Sequence, residues 1–181
     1  RECIAYIRQA RDPTVVAFLL GAIERALVGS SGGGGSLDSS FEMSPADRGE
    51  LRAFVLEFAV AAQRAAFARF LLTKCAKILV DAAKIDWPCH YPDFFDQVLG
   101  LCQDTVLRPL GLQVLLTTVE EWLATAVRRG RDVPLSSSRR HALRKGISES
   151  LPRVMPALIS MLRDGVSSGN ALMASSTTSA D

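Results

Sequence analysis

A chain of 181 residues, 48% of them apolar, holds enough hydrophobic material for one substantial core or a short run of stacked helical units. Its 21 basic and 19 acidic residues leave a formal charge of +2, too weak a field to gather phosphate backbones or anionic lipid, so nucleic acid and membrane surfaces fall away as leading partners. The longest apolar run, Thr14 to Ile23, is about half the roughly 20 residues a bilayer span needs, and Glu24 and Arg25 close it.

Gly and Pro punctuate the chain, and every long segment between them repeats near 3.6 residues, which reads as all-α. A short helix is expected over Glu2 to Gln9. A second follows Asp12 as N-cap and Pro13 at its first position, runs to Val28 and stops at Gly29, so a first helix pair occupies residues 1–28. The glycine- and serine-rich stretch that follows has maximal backbone freedom and little apolar surface, which predicts a flexible insert over 29–43.

Ser44, Pro45 and Asp47 signal the next helix start, and Leu51, Phe54, Val55, Phe58 and Ala62 share one stripe. Phe67, Phe70, Leu71, Cys75, Ile78, Leu79, Ala82 and Ile85 form the facing stripe of its partner, with Arg69, Thr73, Lys77 and Lys84 on the opposite side; this second pair spans 44–86. Asp86-Trp87-Pro88 ends it, because a residue before proline leaves the α region and Trp87 can pack over the corner.

Pro92 opens a brief helix with Phe94, Phe95, Val98, Leu99 and Cys102 inward. After Asp104 a longer helix carries Leu112, Leu115, Leu116, Val119, Trp122, Leu123 and Ala126, and Arg128, Arg129 and Gly130 finish a third pair over 87–130. A fourth repeat is expected to begin in 131–165, with Ser136 to Ser138 as caps and a stripe of Leu143, Ile147, Leu151, Val154, Leu158 and Leu162. Pro152 and Pro156 predict a kink or a break near Ser150, and the composition of 166–181 predicts a disordered tail.

Proline-flanked helix starts recur near Pro45, Pro92 and Leu135, about 45 residues apart, the period of HEAT-like helical hairpins. One hairpin cannot cover its own apolar face. Neighbours stack into an α-α superhelix whose inner helices line a concave surface suited to binding proteins. A single closed bundle is the alternative that the same stripes allow.

No catalytic, metal or cofactor constellation stands out, and an enzyme is not expected. Gly29-Ser30-Ser31-Gly32-Gly33 fits the G-x-S-x-G pattern, but no strand precedes Ser31 and no Asp-His pair is placed to activate it. Cys89 and His90 are adjacent and have no further Cys-His cluster nearby to complete a metal site. The four cysteines lack C-x-x-C spacing and read as reduced thiols of an intracellular protein, with pairing in a secreted chain as the alternative. His141, amid Arg139, Arg140, Arg144 and Lys145, reads as a solvated basic helix start, with a localisation or polyanion patch as the other reading. The opening Arg1 is expected to mark a fragment or an incomplete gene model.

The run Lys74-Cys75-Ala76-Lys77-Ile78-Leu79-Val80, then Ile85-Asp86-Trp87-Pro88, then Tyr91-Pro92-Asp93-Phe94-Phe95 resembles the N-terminal region of importin-β-family exportins. Trp87, Pro88, Pro92, Phe94 and Phe95 carry the likeness as packing anchors. Arg108-Pro109-Leu110-Gly111-Leu112 and Leu116-Thr117-Thr118-Val119-Glu120-Glu121 are similar to the branch of that family associated with profilin-bound actin as cargo. The resemblance implies a monomeric receptor that shuttles between nucleus and cytoplasm and binds Ran in its GTP form together with protein cargo. It places Ran against inner helices corresponding to Asp12 to Val28, Ala65 to Ile85 and Thr105 to Val127. Glu24, Lys77, Asp81, Lys84, Gln113, Glu120 and Glu121, away from the main apolar stripes, become the candidate contacts, with a merely solvated face as the bland alternative. A nuclear import receptor and an inert HEAT-repeat scaffold subunit are the competing functions.

Overall fold

The structure, a computed structural model, describes residues 2–10, 12–29, 43–123 and 136–177. Among these, seven helices and no strand are found: α1 (Glu2–Gln9), α2 (Pro13–Gly29), α3 (Pro45–Arg64), α4 (Arg69–Asp86), α5 (Phe94–Gln103), α6 (Arg108–Leu123) and α7 (Ser137–Thr177). The Gly/Ser insert, the serine motif within it, the end of the third pair at Arg128 to Gly130 and the last residues of the tail lie outside the described residues. The chain divides into two units, residues 1–144 and 145–181, each taken by itself below.

Local chemistry sets the helix starts in the first unit. The Asp47 amide donates to Ser44 Oγ at 3.1 Å while the Ser44 hydroxyl donates to Asp47 Oδ2 at 2.6 Å, and Pro45 fills the first helical position of α3. Asp12 takes the Thr14 amide at 2.7 Å before α2, and Asp104 takes the amides of Val106 and Leu107 at 2.8 and 3.2 Å before α6. Between α3 and α4 the chain turns through Ala66 at φ 52°, with Phe67 N–H donating to Ala62 O and Ala66 N–H to Gln63 O. That is a Schellman ending with alanine in the left-handed position glycine usually takes.

The helices pair as α1 with α2, α3 with α4 and α5 with α6, and α4 also packs against α2 on one side and α6 on the other. Leu20, Leu27, Leu71, Ile78, Val80, Phe94, Leu110 and Val114 are fully or almost fully buried, so the apolar interior runs from hairpin to hairpin through α4. This is the all-α, HEAT-like hairpin stack read from the sequence.

The approach of α5 to α6 is close because Gly111 has no side chain. A Cβ there would meet Cys102 Sγ at 2.6 Å and the Cys102 backbone nitrogen at 2.9 Å. Gly111→Ala is expected to lower stability by about 1–3 kcal/mol, read as a lower urea midpoint. Gly100→Ala, whose Cβ meets nothing within 4 Å, is the control and is expected to be neutral or stabilising by up to about 1 kcal/mol.

Two apolar faces differ from expectation. Phe67 and Phe70 are each 52% exposed, Phe67 in the turn between α3 and α4 and Phe70 in the first turn of α4. On α6, Leu112, Leu116 and Val119 are exposed, while Leu110, Val114, Leu115, Thr117, Thr118 and Trp122 are buried. The helix packs against both α4 and α5 and so buries two adjoining sectors. Threonines can occupy them because their hydroxyls donate to Gln113 O and Val114 O at 2.8 Å each.

Of the kink or break expected near Ser150, the break is absent: α7 is one helix through Pro152 and Pro156 and on to Thr177. The two prolines are four residues apart on an exposed side, so the carbonyls they leave without an amide partner face water. Val154 is buried, whereas Leu151, Met155, Ile159 and Leu162 are exposed. Among the described residues no helix is long and apolar enough to cross a membrane.

Candidate functional site

Phe70, Thr73, Lys77, Asp81 and Lys84 recur at three- and four-residue steps and form one stripe of α4, turned away from the stripe that meets α3. Lys74 beside it pairs with Glu24 of α2 at 2.6 Å. Further along, Lys77 reaches Asp81 at 3.0 Å and Glu121 of α6 at 2.9 Å, and Lys84 reaches Asp81 at 3.1 Å and Glu121 at 2.5 Å. Two cations and two anions thus lock α4 to α6.

The network is deeply placed. The Asp81 side chain is 0% exposed and that of Lys84 2%, against 20% for Lys77 and 13% for Glu121. Asp81 Oδ2 has no hydrogen-bond partner among the described residues. Burial raises the Asp81 carboxyl above its ordinary range despite the two lysines. For Glu121 burial acts the same way, but hydrogen bonds from Lys84 and Lys77 outweigh it and hold the carboxyl low. For Lys77 burial opposes the charge, and Asp81 and Glu121 overcome it, keeping the amine above its usual value. The stabilisation contributed by Glu121 is therefore present above its unfolded pKa and lost as pH falls through the folded one. That of Asp81 is present below its unfolded pKa and lost as pH rises through the folded one.

A second cluster closes the corner after α4. Asp86 accepts from Arg48 Nε at 2.9 Å and from Arg52 of the same helix, α3. Arg48 also donates to Met43 O at 2.5 Å and Arg52 to His90 O at 2.9 Å, with the Arg52 guanidinium 4.5 Å above the Tyr91 ring. The Tyr91 hydroxyl is pushed up to about 12, by burial first and against the pull of Arg52. The Trp87-Pro88 peptide bond is cis. Trp87 meets Phe95 edge-on at 6.0 Å and Trp122 at 5.8 Å, and Phe94 stacks on Trp122 at 5.7 Å. From the start of α7, Arg139 donates to Lys84 O at 2.9 Å, Ile85 O at 3.2 Å and Trp87 O, covering the carbonyls that α4 leaves open at its C-terminus.

Of the seven candidate contacts, the fold gathers Lys77, Asp81, Lys84 and Glu121 into one network. Glu24 is held apart by Lys74, Gln113 is half-buried with its amide 3.4 Å from Thr117 Oγ1, and Glu120 is exposed. Asp81 and Lys84 are not the solvated charges their position opposite the apolar stripe predicts. The reason is that α4 is covered on nearly every side from Ile78 to Lys84, and these two charges enter the interior as partners of one another and of Glu121. Arg48 and Arg52 were not singled out from the sequence, Lys74 entered only within the run that carries the resemblance, and Arg139, read as part of a solvated basic helix start, instead bonds the end of α4. Only Arg48 and Arg52 carried a signal, as a pair at i, i+4 on a helix whose neighbours on that face are apolar.

Burial pushes the Cys75 thiol up to about 12 and raises that of Cys102, so both are packing groups rather than nucleophiles. What the arrangement does is tie α4 to α2 through Lys74 and Glu24 and to α6 through Lys77, Lys84 and Glu121.

Stacked helical hairpins whose second helices adjoin through a shared interior define a HEAT-like repeat protein. Residues 68–179 match the family described as exportin 1-like protein, and the chain belongs to that family of nuclear transport receptors. It is 37% identical to exportin-6 of Homo sapiens over 93 residues, 51% of this chain and 8% of that protein. It is 39% identical to exportin-6-B of Xenopus laevis over 93 residues, again 51% and 8%, and 34% identical to exportin-6 of Danio rerio over 116 residues, 64% of this chain and 10% of that one. The chain spans a tenth or less of the length of these relatives. No solved structure matches it.

Proposed function

We propose that this chain is part of a nuclear export receptor that binds Ran in its GTP form against α2, α4 and α6 and acts with protein cargo, profilin-bound actin in particular. The observation that carries this is the match of residues 68–179 to the exportin family on a stack of helical hairpins whose second helices, α2, α4 and α6, adjoin one another. Glu24, Lys77, Gln113 and Glu120 are the contact residues in this reading. Asp81, Lys84 and Glu121 act from beneath by holding Lys77. No cofactor is involved, and the complete receptor shuttles between nucleus and cytoplasm as a monomer.

The test is binding of the complete protein to Ran loaded with a non-hydrolysable GTP analogue or with GDP, with and without profilin-actin. The expected result is binding to the GTP form only, tighter with cargo present, and weakened roughly tenfold, about 1.4 kcal/mol, by Gln113→Ala with Glu120→Lys. Both residues lie outside the buried network, so the melting temperature should stay put. No binding to Ran-GTP would remove the transport reading in favour of a scaffold; cargo released by Ran-GTP would turn it into import.

A further inference from the structure

Where α3 turns into α4, the start of α6 stands opposite and a groove of about 400 Å³ opens between them. Phe67 follows the left-handed Ala66, and its N–H bond to Ala62 O pins the backbone beneath the ring, yet half of the side chain is exposed. Leu72 of α4 and Pro109 and Leu110 of α6 complete an apolar lining. Among the described residues that line the groove Arg69 carries the one charge, and it makes no ion pair with another described residue. The Gln113 amide beside it is engaged only by Thr117 Oγ1 at 3.4 Å, a long contact for a hydrogen bond. We propose that this groove docks an extended segment of a partner protein that presents a bulky apolar side chain next to a carboxylate, the side chain packing among Phe67, Leu72 and Leu110 and the carboxylate pairing with Arg69.

Three features set the chemistry of the occupant. The volume lies at the small end of ligand clefts, which run from roughly 300 to 1,000 Å³, so the groove takes one or two side chains of a strand-like segment and not a whole helix. Its lining holds a cation and no carboxylate, so an acidic neighbour of the buried side chain is attracted and a basic one repelled. The ring of Phe67 is set by backbone bonds of the turn, so it stands in place before anything binds and little ordering is lost on docking. A nucleic acid fits poorly, because a single guanidinium neutralises one phosphate and the whole chain carries a formal charge of only +2. The groove shares Gln113 with the face proposed for Ran and lies apart from the charge network of Lys77, Asp81, Lys84 and Glu121.

The test is an amide chemical-shift titration of the full chain with N-acetyl-phenylalanine, its neutral amide N-acetyl-phenylalaninamide, and acetate. No partner protein enters it, so its failure leaves the transport reading standing, and absence of Ran binding leaves the groove standing. The acid should shift the amides of Phe67, Leu72 and Gln113 and saturate. The neutral amide should do so roughly two- to fivefold more weakly, the fold-change an exposed ion pair supplies, and acetate should not do so at all. Arg69→Ala should bring the acid down to the level of the neutral amide, Arg69→Lys should restore part of the difference, and Phe67→Ala should weaken both ligands. Should Phe67→Ala disturb the turn, seen as a lower melting temperature, the Arg69 pair of variants decides alone. Equal binding of acid and neutral amide by the unaltered chain, or no saturable shift at the three amides, overturns the proposal. Shifts there that grow with the chain's own concentration in the absence of any probe place a second copy in the groove and overturn it too.

Discussion

Asp86→Ala is expected to lower the unfolding free energy by about 3–5 kcal/mol, the usual result of removing one member of a buried charge cluster. The Asp86 side chain is 0% exposed, and those of Arg48 and Arg52 are 10% and 13% exposed. Taking the carboxylate away removes the shared counter-charge of two guanidinium groups that are only slightly exposed. Their remaining acceptors, Met43 O and His90 O, and the Tyr91 ring keep the loss from growing further. Asp86→Asn retains an acceptor and should fall between. Arg64→Ala, which breaks a 3.8 Å pair whose members are 62% and 39% exposed, should cost under about 1 kcal/mol. Urea denaturation of the three variants side by side measures the contrast.

Phe94→Ala is the second large effect, again about 3–5 kcal/mol, since its side chain is fully buried and nothing nearby can collapse into the space. Phe94 touches Phe95 at 5.1 Å, Tyr91 at 5.4 Å and Trp122 at 5.7 Å, and so joins the corner after α4 to the far end of α6. Loss of this ring should also raise the exposure of Trp122, seen as a red shift of its fluorescence before unfolding begins. Leu116→Ala, at a position 53% exposed on α6, should change stability by less than about 1 kcal/mol.

What could be read from the sequence was what neighbours in sequence decide. The Ser44-Pro45-Asp47 start is a contact across three residues, and the end of α4 at Asp86 follows from the proline two positions on. The inward faces of α3 and α5 were legible because each packs mainly against one partner. The face of α6 was not, because burial against two helices spreads the buried set and lets threonines join it. Burial of Asp81 and Lys84 depends on Glu121, 37 residues beyond Lys84, and the contact of Arg139 reaches back 55 residues. Neither leaves a local trace. The prolines of α7 cause no break for a related reason: their cost depends on which way the freed carbonyls face, and both prolines lie at exposed positions.

Everything functional here depends on α4 lying between α2 and α6 with a shared interior. Hydrogen exchange resolved along the chain tests that most directly, since amides shielded on several sides open only with the whole unit. The amides of Ile78 to Ala83 should exchange slowest, together with those of Leu20 in α2 and Val114 in α6, while α1 exchanges orders of magnitude faster. If α4 exchanged as fast as α1, or if the three hairpins exchanged independently of one another, the stacked arrangement and the binding face built on it would be contradicted.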